Sequence, residues 1–340
     1  NNIFKLSVLK SNFFWYVLVF KLIAACLFAS DYLTDLFYPF IDFFINNNLT
    51  STYTYFYETG QTNSFPYPVL MLYLTSFFKI IFSNDSALSF VDILIIRIPV
   101  LIADVSILLV LSRWLKFHLK EVLIYYWFNP ILIYINYFHG QLDVIPTAFL
   151  IVSLYFLFKN KWFYSSLFIA FSILCKTNFI IAFPFLLIYY LKSNNFNHKH
   201  ILYSILVFIS IIFIFNIPVL FNSNYYDIVY NNSTQSELLN LALVYNNSIK
   251  LSIYIAPGML LLMFFYGLTF KSFNKNLFIL FLCFCFASIT IFTSPGQGWY
   301  YWFIPLQVFF IIKQKQFNKL FYWLFVFSYF FYFLIIPDSD

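Results

Sequence analysis

Two carboxylates, Asp31 and Asp35, follow the first long apolar run, within Ser30-Asp31-Tyr32-Leu33-Thr34-Asp35. In a chain with 13 acidic residues among 340, a pair at the end of a membrane-length run is a candidate for proton transfer. A general base there has to face a cavity, stay ionised and reach an acceptor hydroxyl. Four residues make about one helical turn, so both carboxylates can share a face, and the spacing leaves open which one meets a substrate. The plainer alternative is an interfacial aspartate that completes a helix end.

A second polar group is His139-Gly140-Gln141-Leu142-Asp143, beyond Asn129-Pro130. A protonatable ring beside the Gln141 amide suits a phosphate oxygen, and Gly140 permits close approach of a ligand. The alternative for His139 is an interfacial ring bonded to a backbone carbonyl. Lys176 stands between two apolar runs on the side that the charge rule leaves poor in lysine. A lipid phosphate is its natural counter-charge, with a snorkelling lysine as the rival reading. Arg97 reads the same way, with Asp92 as a rival partner; Asp104, deeper in that run, is expected to pair within the bundle, and Lys21 has no legible partner. Gln297, Trp299 and Tyr300, with Trp302, form a turn and an aromatic ledge that suits a sugar ring or, equally, a membrane interface. There is no Gly-rich phosphate loop, His-Glu-x-x-His or nucleophile elbow, which argues against nucleotide hydrolysis and zinc peptidase chemistry.

The elements that must position these groups are membrane helices. The chain is 62% hydrophobic and 9% charged, with mean hydropathy +0.82, far from the balance of a soluble domain. The fold class expected is an all-α polytopic membrane protein. The net charge of +6 comes from short basic clusters between apolar runs, a topology signal that speaks against a nucleic-acid partner. The aromatic share of 25% is spread through every run and reads as interfacial belts. Cys26, Cys175, Cys283 and Cys285 lie in or beside apolar runs without Cys-x-x-Cys spacing, so neither disulfides nor zinc is indicated. Asn-x-Ser/Thr matches at Asn48, Asn84, Asn231, Asn232 and Asn246 carry little weight in so Asn-rich a chain. The first run reads as a retained span and not as a cleavable signal.

Apolar runs of spanning length fall near 12–30, 93–112, 120–138, 201–221, 251–270, 276–293 and 319–336. Shorter ones at 144–158, 162–175, 178–191 and 299–312 fit inside a bundle and bring the expected count to about eleven. The run from Pro66 to Ser83 is assigned by charge. If it does not cross, the clusters around Arg113, Lys159, Lys192, Lys271 and Lys313 all fall on the side of Lys5 and Lys10; if it crosses, all are exported. It is therefore expected to lie on the outer leaflet, with Tyr67, Tyr73, Thr75, Ser76 and Lys79 as its polar share. Asp31, Asp35, Arg97, 139–143, Lys176 and 294–300 then share the outer face of one membrane domain, 1–340, whose larger outer loops are 31–92 and 222–250.

Taken in order, Ser30-Asp31-Tyr32, Phe65-Pro66-Tyr67-Pro68-Val69-Leu70, Arg97 with Ala103-Asp104, Asn129-Pro130, His139-Gly140-Gln141-Leu142-Asp143 and Cys175-Lys176 resemble the GT-C superfamily of integral-membrane glycosyltransferases. The nearest likeness is to dolichyl-phosphate-glucose-dependent glucosyltransferases and bacterial polyprenol-phosphate-mannose transferases. It covers about residues 12–192, the catalytic-type module, with 193–340 as variable-type C-terminal helices. The resemblance implies a GT-C-like fold with outer-face juxtamembrane helices. It also implies inverting transfer of a hexose from a polyprenyl- or dolichyl-phosphate donor to a glycan or lipid-linked acceptor, without a further cofactor or metal. By the same resemblance Asp31 is the base, Lys176 and His139 lie near the donor phosphate, and the membrane is the bacterial inner membrane or the endoplasmic reticulum. The chain departs from the pattern in Pro66-Tyr67-Pro68, which replaces a double proline, and in His-Gly-Gln-Leu-Asp, which replaces His-Phe-Gln-Tyr-Asn. From other classes, a lipid-linked-sugar flippase would need polar groups at mid-membrane, and a non-catalytic subunit of a glycosylation complex would need none of these residues.

Overall fold

The structure, a computed structural model, describes residues 7–82, 89–193, 198–232, 239, 241–246, 251–314 and 319–335. Helix α1 (Asn12–Leu27) buries Phe14, Val17, Lys21 and Ala24, a three-to-four-residue recurrence that makes one face. The chain then breaks: a wide turn, Tyr32–Phe37, leads into α2 (Tyr38–Asn46), and the two halves meet at 66°. The helix α3 (Leu49–Glu58) starts at Asn48, whose side chain accepts the Ser51 N–H. It is followed by α4 (Val69–Phe82) and by α5 (Phe90–Trp114), which opens on a reciprocal cap between Ser89 and Asp92.

The run expected to cross at 120–138 is instead interrupted. Short helices α6 (Leu119–Val122) and α7 (Pro130–Ile133) each continue into a wide turn, Leu123–Trp127 and Tyr134–His139. Pro130 has no N–H to continue the first piece, and the Asn129 side chain accepts from Ile131 and Leu132 to start the second. Beyond it run α8 (Val144–Leu157), α9 (Trp162–Cys175), α10 (Ala182–Lys192), α11 (His198–Asn216) and α12 (Ser223–Val229). After them come α13 (Ile255–Thr269), α14 (Lys275–Phe292), a tight turn at Gln297–Trp302, α15 (Ile304–Lys313) and α16 (Lys319–Ile335).

The all-α expectation needs one correction. Strands β1 (Ala242–Asn246) and β2 (Leu251–Tyr254) pair antiparallel, so the apolar run at 251–270 begins as a strand. Ile253 and Tyr254 are β-branched and aromatic, types enriched in strands.

Among the described residues, three helices are long and apolar enough to cross a membrane: Phe90–Trp114, Lys199–Val219 and Lys275–Phe292. The bent pair of α1 and Tyr32–Asn46 makes a fourth if counted as one span. The other apolar helices among the described residues are shorter, of 10–17 residues.

Helix α4 departs from expectation in its facing. Thr75, Ser76 and Lys79 are buried against the protein, while Phe77, Ile80, Ile81 and Phe82 are exposed. The hydroxyls bond to their own helix, Thr75 to the Met71 carbonyl at 2.9 Å and Ser76 to that of Leu72 at 2.7 Å. Lys79 pairs with Asp42 of α2 and stands 3.7 Å from the centre of the Tyr38 ring. Polar groups satisfied inward and an apolar face outward suit a lipid surface better than water.

Helices α8 and α9 are joined by small polar groups: Ser153 donates to the Ser165 carbonyl and Ser172 to that of Pro146, both at 2.7 Å. At one end of this pair the basic residues collect. Arg113 donates to the Tyr155 hydroxyl at 3.0 Å, Lys275 to the Phe158 carbonyl at 3.0 Å and Lys313 to Asn276 at 2.6 Å. At the other end lie Asp143, which begins α8, and Lys176, which ends α9.

Candidate functional site

The turn after α1 is tied to the 139–143 segment through Ser30. Its hydroxyl donates to the His139 carbonyl and lies 3.5 Å from His139 Nδ1, while the Tyr32 and His139 rings stand 5.4 Å apart. Gln141 Nε2 is 3.4 Å from the same ring nitrogen. Asp31, next to Ser30, is exposed, and so is Asp35, which accepts the Thr34 hydroxyl at 2.7 Å. Asp31 thus precedes the wide turn Tyr32–Phe37 and Asp35 lies within it, while Ser30, next to Asp31, is bonded to the His139 carbonyl.

Arg97 sits behind this turn, 2% exposed. Its Nη1 donates to the carbonyls of Ala25 and Phe28 at 2.6 Å each and to that of Tyr137 at 3.3 Å. Carbonyls freed at the end of α1 thereby find a cation. Asp92, the expected rival partner, bonds to Ser89 in the helix cap. Arg97 Nε and Nη2 have no hydrogen-bond partner among the described residues. Gly140 lies directly over this edge, with φ +86°; a Cβ there would stand 2.8 Å from Nη2.

Three residues beyond Gly140, Asp143 is buried, and its Oδ1 receives Lys176 Nζ at 2.6 Å and Trp302 Nε1 at 2.5 Å. The counter-charge of Lys176 in this structure is therefore a protein carboxylate. Lys176 keeps 14% of its side chain exposed and stands 5.4 Å and 5.1 Å from the Tyr67 and Trp302 ring centres. Asp143 Oδ2 has no partner among the described residues and abuts Gly298, where a Cβ would overlap it. Tyr67 borders both groups: burial first, then the neighbouring Asp143 and Tyr32, holds its phenol well above the ordinary range.

The ledge at 297–302 is arranged differently from a flat sugar platform. Trp299 stacks on Trp302 at 4.9 Å and both are buried, while the Gln297 carbonyl accepts from Tyr329 at 3.3 Å. Tyr300 packs among Tyr329, Phe325 and Phe333 of α16, at 4.9 Å from the first. The side chain of this turn that hydrogen-bonds to Asp143 is that of Trp302, and Tyr301, which its sequence context does not single out, reaches Asp104 at 3.1 Å. A run of consecutive aromatic residues gives no sign of which one turns inward.

The segments 31–92 and 222–250, expected to be the larger outer loops, meet each other. Asn222 donates to the Thr50 carbonyl at 3.2 Å and the Tyr53 and Tyr225 rings stand 4.9 Å apart edge to face. Asn84 and the 247–250 stretch lie outside the described residues. Among the described residues no three His, Cys, Asp or Glu side chains lie together as a metal site. The arrangement provides an exposed carboxylate, a histidine and amide beside it, and an ammonium with donors left over after Asp143. Comparison with family models, with curated proteins and with solved structures found no match to this chain.

Proposed function

We propose that the chain is an inverting hexosyltransferase of the membrane, taking glucose or mannose from a polyprenyl-phosphate donor to a lipid-linked or glycan acceptor. The observation that carries the reading is the 139–143 segment, which joins two kinds of chemistry. Its first residue is bonded to the turn that holds Asp31, and its last holds Lys176. In the reaction Asp31 takes the acceptor hydroxyl proton and the acceptor oxygen bonds to the anomeric carbon. The bond from that carbon to the phosphate oxygen breaks, and its electron pair leaves with polyprenyl phosphate.

Lys176 offers the phosphate the N–H bonds that Asp143 does not use. His139 and Gln141 add donors, and Arg97 adds positive charge from beneath Gly140. Tyr67, Asp143, Gln297, Trp299 and Tyr300 line or brace this mouth. The reading places it at the extracytoplasmic or lumenal face, opposite the basic end of the bundle, with the shorter helices crossing as members of the bundle. The test is incubation of purified protein with short-chain polyprenyl phosphate carrying labelled glucose or mannose and a lipid extract. Consumption of one donor by wild-type protein, lost in Asp31→Asn, supports the assignment; no transfer from either donor ends it.

A flippase is the second reading, favoured by the ion pair of Lys21 and Asp104 buried within α1 and α5. Movement of a fluorescent polyprenyl-phosphate sugar across reconstituted vesicles, without hydrolysis or transfer, would select it.

A further inference from the structure

A buried polar hub lies outside the proposed reaction and holds both segments that serve it. Lys21 Nζ is 2.7 Å from Asp104 Oδ2, with both side chains 1% exposed. Three tyrosine hydroxyls complete the carboxylate: Tyr137 donates to Oδ2 at 2.7 Å, and Tyr126 and Tyr301 donate to Oδ1 at 2.7 Å and 3.1 Å. The Lys21 ammonium also stands 3.3 Å from the centre of the Trp127 ring.

The donors reach the hub from separate parts of the chain. Tyr137 lies two residues before His139, and its carbonyl accepts from Arg97. Tyr301 directly precedes Trp302, whose indole N–H goes to Asp143. The His139 turn and the Gln297–Trp302 turn are thus anchored, by hydroxyls, to one carboxylate.

For stability alone, an apolar pair of similar volume commonly does as well as a buried ion pair. An apolar pair cannot receive three directed hydroxyls. We propose that Lys21 and Asp104 are positioning residues: they orient Tyr137 and Tyr301 so that His139 and the Asp143–Lys176 pair face one mouth. The activity readout rests on the hexosyl-transfer reading, whereas the geometric readout does not.

The experiment uses full-length protein with Gln141→Cys as a reporter in a background lacking the native cysteines. Two variants are compared with it: Lys21→Met/Asp104→Leu, which removes both charges together, and Tyr137→Phe/Tyr301→Phe, which removes only the two hydroxyls. Each is scored for melting temperature and for the rate of maleimide labelling at position 141, while kcat and KM are measured for the same substitutions with Gln141 and the native cysteines in place. Expected are several-fold faster labelling in both, with near-wild-type melting in the tyrosine variant and lower melting in the charge-free variant, whose three hydroxyls lose their acceptor. In transfer, a fall in kcat of about 10- to 100-fold is expected, with KM little changed, as for a misplaced group.

Labelling at the unaltered rate in both variants overturns the proposal, as does faster labelling in the tyrosine variant accompanied by a matching loss of its melting temperature. Should the charge-free variant fail to fold, the tyrosine variant decides by the same readouts. Wild-type protein that transfers neither hexose defeats the proposed function, while the labelling rates still decide whether the hub positions the mouth.

Discussion

The Ser30 hydroxyl donates to the main-chain carbonyl of His139, 109 positions later in the chain. This bond ties the chain just before the exposed Asp31 to the His139 backbone. Ser30→Ala should destabilise the protein by about 0.5–1.5 kcal/mol, the net worth of one such bond. Thermal unfolding in detergent measures it, and an unchanged melting curve would show that the tie contributes nothing.

Asp31→Asn should slow hexosyl transfer by about two to four orders of magnitude, the range of general-base catalysis. Asp35→Asn should have a much smaller effect, because Asp35 is engaged by Thr34 while Asp31 follows Ser30, whose hydroxyl is bonded to His139. Single-turnover transfer with saturating donor separates the two; equal losses would share the role between them.

Gly298→Ala should be more costly than Gly258→Ala. A Cβ at 298 overlaps the Asp143 carboxylate, whereas one at 258 meets nothing within 4 Å. Overpacking of this kind costs about 1–3 kcal/mol, while an open helical site is neutral or gains up to about 1 kcal/mol from alanine. Chemical or thermal denaturation of the two single variants compares them directly.

Tyr67 gives a pH signature. Its folded phenol is held above its ordinary value, chiefly by burial and then by Asp143 and Tyr32, so above pH of about 10 the unfolded chain gives up this proton first. The stabilisation is therefore complete below that pH and is lost as pH rises toward the folded value. Tyr67→Phe should lose stability less steeply than wild type between about pH 9 and 11. Parallel slopes in melting temperature against pH would refute the assignment.

Membrane placement is tested by sidedness. Asp31→Cys and Gln141→Cys should react with an impermeant maleimide from one side of sealed vesicles, and Lys275→Cys from the other. The prediction follows from Lys275 lying against Phe158 at the far end of α8 from Asp143.

Much of the fold is legible in the residues themselves. Apolar runs announce the helices, and the isolation of Asp104 within a span requires a partner inside the bundle. What stays hidden is which distant residues meet. Lys21 lies 83 positions from Asp104, and a lone lysine in an apolar run has no local signal for its mate. Lys176 invites a lipid phosphate because nothing nearby in sequence is acidic, yet the fold returns Asp143 to it across a helical hairpin. The facing of α4 is the reverse of what its polar share suggests, because its hydroxyls bond to their own helix, which frees polar side chains to turn inward. The pause at Asn129-Pro130 is visible, but an apolar run on both sides masks it as a single crossing.

The inward pairing of Lys79 with Asp42 has one more result. Lys79 is the single charged residue among Val69–Phe82, and it is answered from within the protein. The outward side of that helix, with Phe77, Ile80, Ile81 and Phe82, is therefore apolar and carries no charge. A lipid surface that took up this face would hold it by buried apolar area and would be little affected by headgroup charge.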